Sequence, residues 1–186
     1  FIVVTYHPVT LDKDGALIAL ENLLSVLVTY PDLNFIITYP NADTHNQGLI
    51  TALEAFKKEH CDQVLLVRSL GQLRYLSLLK HCEAVIGNSS SGLIEAPTFF
   101  KPTVNVGNRQ GGRICGGTVI NSDEDVPSIT KALIKALSRD FREKCLSEQN
   151  PYGSGGSSEK ILDIIRSISL DDLVVKKFYD VKPLCR

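Results

Sequence analysis

Three serines and two glycines crowd into Gly87-Asn88-Ser89-Ser90-Ser91-Gly92, directly after a β-rich run and at the start of a helical pattern. Such a junction offers unpaired backbone N–H groups, hydroxyl donors and the positive end of a helix dipole, which together suit a phosphate. The same residue types also serve merely to cap a helix. Glu95 follows about one turn later. A carboxylate there would oppose an anion, so its task is either to accept hydrogen bonds from sugar hydroxyls or to sit as a first-turn acid favoured by the dipole. Downstream, Gly107-Asn108-Arg109-Gln110-Gly111-Gly112-Arg113 sets two arginines among glycines. Guanidinium groups on so open a backbone can clamp a diphosphate closely. The alternative is an ordinary loop with solvated charges. His7 follows the first apolar run and is held by Pro8; a lone histidine there is either structural or catalytic. His45, His60 and His81 read as solvated or capping residues, and no pair of potential ligands has metal-site spacing, so no metal is expected. Neither a P-loop nor an early G-x-G-x-x-G occurs, so a nucleotide hydrolase, a simple dehydrogenase and a resident cofactor are not expected.

Those residues need a scaffold that brings them to one edge. Short Val/Ile-rich runs are predicted as strands over Phe1–Tyr6, Asn34–Tyr39, Gln63–Val67, Ala84–Gly87, Thr103–Val106 and Thr118–Ile120. They are continuous rather than alternating, as expected of a parallel sheet covered on both faces. Helical spacing lies between them. Leu17, Leu20, Leu24 and Leu27 form one stripe, with Asp12 or Asp14 as its cap and Pro31 as its stop. Further helices are predicted through Leu49, Leu53 and Phe56, through Leu73, Leu76 and Leu79, from the serine turn through Leu93, Ile94 and Glu95, and over Val126–Leu137. Strand–helix alternation of this kind specifies an α/β fold, a Rossmann-like doubly wound parallel sheet. Ligands bind such sheets beyond the carboxyl ends of the strands. That rule gathers His7-Pro8-Val9-Thr10, Pro40-Asn41, Ser69-Leu70-Gly71, the serine turn and the arginine loop along one rim.

Composition bounds the rest. The chain has 186 residues, 44% hydrophobic and 22% charged, with 20 Lys+Arg against 21 Asp+Glu and a net charge of −1. A folded globular protein fits these values, and a nucleic-acid binder, which needs a basic footprint, does not. No apolar run approaches the ~20 residues of a membrane span, and no secretory signal opens the chain, so a cytoplasmic protein without membrane partners is expected. The five cysteines are scattered and odd in number, which reads as reduced thiols. The chain contains no Met and begins inside an apolar run, so a fragment of a longer protein is expected. Residues 1–150 read as one nucleotide-binding domain. The Gly/Ser-rich stretch Asn150–Ser158 reads as an ordered turn, leading to a terminal helix capped by Ser157 or Ser158; residues 151–186 are expected to reach toward a partner domain.

Tyr6-His7-Pro8-Val9-Thr10, then Ile86-Gly87-Asn88-Ser89-Ser90-Ser91-Gly92 with Glu95, then Asn108-Arg109-Gln110-Gly111-Gly112-Arg113 resemble the C-terminal half of hydrolysing UDP-N-acetylglucosamine 2-epimerases, in particular their sialic-acid branch. Asn150-Pro151-Tyr152-Gly153 before a helix is similar to that family's terminus. The resemblance implies the nucleotide-binding half of a GT-B-like enzyme, whose missing N-terminal domain carries the proton-moving carboxylates, and which commonly forms homodimers. It implies elimination of UDP from UDP-N-acetylglucosamine, then addition of water to release N-acetylmannosamine. Carried over by motif, Ser89, Ser90 and Ser91 surround the diphosphate, Glu95 holds the ribose and Leu70 contacts uracil through its backbone. His7, as the catalytic candidate, and Asn41 lie near the phosphate or sugar, with Arg109 and Arg113 in the adjoining loop. Two competing readings are half of a GT-B glycosyltransferase, with the same diphosphate rim, and a non-catalytic nucleotide-sensing module.

Overall fold

A computed structural model describes residues 1–9, 15–41 and 46–169 of the chain. Thr10, the proposed caps Asp12 and Asp14, His45 and Cys185 lie outside the described residues. The chain divides into two compact units, Phe1–Gly153 and Ser154–Arg186.

In the first unit the apolar runs become β1 (Ile2–Thr5), β2 (Phe35–Thr38), β3 (Val64–Val67), β4 (Ala84–Gly87), β5 (Thr103–Val106) and β6 (Val119–Ser122). All pair in parallel, in the order β3-β2-β1-β4-β5-β6. The order reverses between β1 and β4, and a crevice must open at that switch point beyond the carboxyl ends of the two strands. Register aligns those ends: Thr5 pairs with Thr38 on one side and with Gly87 on the other.

Alternate β1 side chains enter different cores, because successive residues of a strand point to opposite faces. Ile2 and Val4 join the larger core with α1 (Gly15–Leu27), α2 (Asn46–Glu59) and α5 (Val126–Leu137). Val3 joins the smaller one with α3 (Gly71–His81) and the segment around Ala96. Helices on both faces are what the continuous apolar strands require. The Leu stripe of α1 is buried at Leu20, Leu23, Leu24 and Leu27. The α5 helix is capped by Asp125, whose carboxylate accepts from the Ser128 N–H at 2.9 Å. That bond holds the Asp125 carboxyl below its ordinary pKa.

Two elements depart from the sequence pattern. The helix expected to run from the serine turn through Glu95 is a single turn, α4 (Ser91–Ile94), followed by a 3-10 turn over Ala96–Phe99. Pro97 is the cause: it supplies no N–H and disfavours α geometry in the residue before it. The second is α6 (Arg139–Cys145), over a stretch whose residue pattern predicts no element. At seven residues it is too short for an apolar period. Its start is fixed by the Ser138 hydroxyl, which accepts from the Phe141 N–H at 3.3 Å. An Arg142–Glu83 ion pair ties it to the end of α3.

The described part of the second unit contains α7 (Ser157–Ser167). Its N-cap is Gly156, with φ +78°, in place of the expected Ser157 or Ser158, which instead form the first helical positions. Ile161, Leu162, Ile164 and Ile165 on α7 are all exposed. Among the described residues no helix is long and apolar enough to cross a membrane.

The described cysteines are free thiols, with Cys61 and Cys115 exposed and Cys82 and Cys145 buried. Burial pushes the Cys82 thiol up to about 11. Thiolate is the reactive form. In the native chain, iodoacetamide is therefore expected to modify Cys61 and Cys115 well before Cys82, as read by peptide mass mapping. The unfolded chain releases the Cys82 proton at its ordinary value while the folded chain retains it. Stability should therefore fall as pH rises from about 9 toward about 11.

Candidate functional site

The site begins at the β1/β4 switch point. Gly87 ends β4 with φ +137°, opposite Thr5. A Cβ at this position would overlap the Thr5 carbonyl, so only glycine lets the two strand ends meet this closely. The next residue, Asn88, is completely buried. Its Oδ1 accepts from the His7 N–H at 2.7 Å, and its Nδ2 donates to the His7 carbonyl at 2.8 Å. Its own carbonyl accepts from Gln110 Nε2 at 2.7 Å and from Arg109 Nη1 at 3.2 Å. One amide side chain thus clips the segment after β1 to the segment after β4, and its backbone anchors the arginine loop after β5. Buried polar groups need such partners, and here the partners set the geometry of three loops.

His7 is buried, and its Nδ1 accepts from the Asn41 N–H at 3.2 Å. With Nδ1 acting as acceptor, the proton of the neutral ring sits on Nε2, leaving that atom as a donor. Asn41 follows β2, so the β1 and β2 rims are joined by this bond. Next to them, Ser89, Ser90 and Ser91 are half-buried. Ser89 Oγ accepts weakly from the Ser91 N–H at 3.4 Å, and Ser91 Oγ shares a 2.8 Å hydrogen bond with the Tyr75 hydroxyl. Burial raises the pKa of that phenol, so Tyr75 keeps its proton across the neutral range.

These residues line one cleft. A space of about 380 Å³ is bounded by His7, Asn41, the three serines, Glu95 and Arg109. It adjoins a second space of about 370 Å³ that shares His7, Asn41, Ser89, Ser91 and Glu95 and adds Arg68, Leu70 and Tyr75. Eight of the nine residues singled out from the sequence line these spaces; Arg113 lines a different cavity, described below. Because α4 is one turn, the serine turn has little helix dipole behind it. The donors it presents to the cleft are hydroxyls and local N–H groups, with Arg109 beside them. Glu95 is the C-cap of that turn rather than a first-turn acid: its N–H donates to the Ser91 carbonyl, and its side chain makes no capping bond. Among the described residues it is the only carboxylate lining the cleft. The arrangement can therefore hold an anion next to a hydroxylated group, but among the described residues it offers no pair of carboxylates to move protons. Asn88, Gln110 and Tyr75 carry no sequence signal of these roles. Each matters through contacts at least 16 positions away in the chain.

Comparison with known proteins bears on what this cleft serves. The sequence model of the family described as UDP-N-acetylglucosamine 2-epimerase matches residues 1–166. The chain is 33% identical over 179 residues to the GDP/UDP-N,N'-diacetylbacillosamine 2-epimerase (hydrolyzing) of Campylobacter jejuni, covering 96% of this chain and 46% of that protein. It is also 33% identical to the polysialic acid biosynthesis protein P7 of Escherichia coli, covering 100% of this chain and 47% of that one. The chain thus spans about half the length of these curated relatives. Its fold is shared with the UDP-GlcNAc 2-epimerase of Methanocaldococcus jannaschii, solved in complex with UDP-GlcNAc and UDP. That superposition has a TM-score of 0.67 at 18% identity, over 89% of this chain and 45% of the other. A match over nearly the whole described chain, in sequence as well as in fold, places the protein in the UDP-N-acetylglucosamine 2-epimerase family.

Proposed function

We propose that this chain is the nucleotide-binding half of a GT-B-like hydrolysing sugar-nucleotide 2-epimerase, which converts UDP-N-acetylglucosamine and water to N-acetylmannosamine and UDP. The observation that carries this reading is the convergence of His7, the serine turn, Glu95 and Arg109 on one cleft at the sheet's switch point. Ser89 and Ser90 hold the diphosphate, with Ser91 steadied by Tyr75. Glu95 accepts from the ribose hydroxyls, and the backbone at Leu70 meets the uracil. His7 Nε2–H and Arg109 face the leaving diphosphate. As the bond from C1 to UDP breaks and the C2 proton departs, negative charge grows on the diphosphate oxygens. Donors fixed in advance lower the cost of that charge because they need no reorganisation. Water then adds across the glycal-type double bond to give the 2-epimer.

Proton transfer at the sugar needs carboxylates that the described cleft does not supply, so the reading assigns them to an N-terminal domain and expects no turnover by this chain alone. A sialic-acid-type pathway, a cytoplasmic location and a homodimer are part of the same proposal.

Titration calorimetry of the chain with UDP tests the cleft. Ser89→Ala is expected to weaken binding by about 1.5–3 kcal/mol, the range for a hydrogen bond to a charged group. Unchanged affinity would remove the phosphate assignment. Glu95→Gln should weaken UDP while leaving pyrophosphate affinity unaltered; parallel losses would take Glu95 off the ribose. For the reaction itself, the protein joined to its N-terminal domain should release UDP and N-acetylmannosamine in an NMR time course. Release of neither product would count against an epimerase.

A further inference from the structure

A separate cavity of about 810 Å³ opens over the carboxyl ends of β5 and β6. It shares no lining residue with the cleft just described. Two of its wall residues, Asn105 and Gln110, are 5% and 4% exposed. The amide oxygen of each, Asn105 Oδ1 and Gln110 Oε1, has no hydrogen-bond partner among the described residues. Their nitrogen ends are already engaged, Asn105 Nδ2 with Asn121 Oδ1 at 2.9 Å and Gln110 Nε2 with the Asn88 carbonyl at 2.7 Å. The Asn88 carbonyl can only accept, so its bond fixes Gln110 Oε1 as the end left over. Buried acceptors without donors are costly, so the cavity favours an occupant that brings O–H groups to them.

The rest of the wall narrows the class. It has glycines, amides, a serine, a thiol, the carboxylates of Asp123 and Glu124 and the guanidinium of Arg113, but among the described residues no aromatic or aliphatic side chain. Among the described residues no aromatic ring is there to stack a nucleobase, and two carboxylates against one guanidinium do not attract a phosphate. Among the described residues no group of three or more His, Cys, Asp or Glu could hold a metal ion. A neutral, hydroxyl-rich molecule remains.

We propose that this cavity is a second binding subsite, for a free polyhydroxylated sugar without a nucleotide, whose hydroxyls donate to Asn105 Oδ1 and Gln110 Oε1. Gln110 also connects the two sites. The amide that accepts from the sugar donates to the Asn88 carbonyl, and Asn88 holds His7. An occupant that orders Gln110 therefore steadies the diphosphate cleft, and by linkage sugar and UDP must tighten each other by the same factor. This coupling rests on the proposed function; the sugar subsite does not.

The test uses N-acetylmannosamine as probe, titrated into the isotope-labelled 186-residue chain by NMR, with and without UDP. Saturable shifts of the Asn105 and Gln110 side-chain NH₂ signals are expected. Asn105→Leu should weaken the sugar about tenfold, the equivalent of one lost hydrogen bond of ~1.4 kcal/mol, while UDP affinity stays within about twofold. A second arm avoids any folding defect of that variant. In a chain with Cys61→Ser and Cys185→Ser, N-ethylmaleimide on the exposed, cavity-lining Cys115 should block the sugar and spare UDP. Shifts confined to His7 and Ser89, or no saturable shift, would overturn the second subsite, leaving the cavity to ordered water. Sugar binding that persists while UDP fails to bind would support this subsite and overturn the UDP reading alone.

Discussion

Replacing Asn88 with leucine is expected to cost about 2–6 kcal/mol of stability, since two buried backbone groups each lose a partner worth about 1–3 kcal/mol. The side chain is fully buried and is bonded to both the N–H and the carbonyl of His7. Leucine has nearly the same size, so the change removes hydrogen bonds without opening a cavity. Urea unfolding of the chain, with an unchanged slope, measures the loss directly. Asn88→Asp retains an acceptor for the His7 N–H but turns a buried carboxylate toward the His7 carbonyl, so at neutral pH it should cost at least as much as leucine and recover as the pH falls and the carboxyl gains a proton to donate. UDP affinity should drop with stability, because His7 loses the clip that sets its position relative to the serine turn. A leucine variant within about 0.5 kcal/mol of wild type, the range of neutral surface changes, would mean that the clip is dispensable.

A larger loss is expected at Gly87. Alanine there is expected to cost more than about 4 kcal/mol, the tail of the mutational distribution, where a specific steric cause is required. The cause has two parts. The backbone has φ +137°, which L-residues rarely adopt, and the new methyl would overlap the Thr5 carbonyl across the β1–β4 pair. The strands would have to part at the point where the cleft forms. Gly71→Ala provides the comparison: φ is +63° there, yet a Cβ meets nothing within 4 Å. That substitution should cost only the left-handed conformation itself, about 1–2 kcal/mol. Denaturant midpoints and soluble yield of the two variants decide the matter. Similar losses at both positions would mean that the close approach of β1 and β4 contributes nothing.

Both predictions concern residues whose importance depends on distant partners, and this marks the boundary between what was legible in the chain and what was not. The strands were legible because burial on both sheet faces forces runs of Val and Ile. The expected Ala84–Gly87 and Thr103–Val106 coincide with β4 and β5. At β6 the expected Thr118–Ile120 is displaced by one or two residues from Val119–Ser122, where the strand continues into polar residues at the sheet edge. The long helices were legible for the same reason of periodic burial. At α4 the expected end at Glu95 lies one residue beyond Ile94, and Glu95 itself is the C-cap.

By itself, then, the sequence determined the doubly wound parallel fold and the rim on which His7, Asn41, the serines, Glu95 and Arg109 would meet. Local hydrophobic pattern and the placement of Gly, Ser and Pro after strands are short-range properties, written in neighbouring residues. Only the tertiary structure decided that Asn88 joins three loops, that Asn41 sets the proton of His7 on Nε2, that Tyr75 holds Ser91, and that Arg113 and Gln110 face a second cavity. Those assignments depend on hydrogen bonds between residues far apart in the chain, and such bonds exist only once the strands have been placed in order and register.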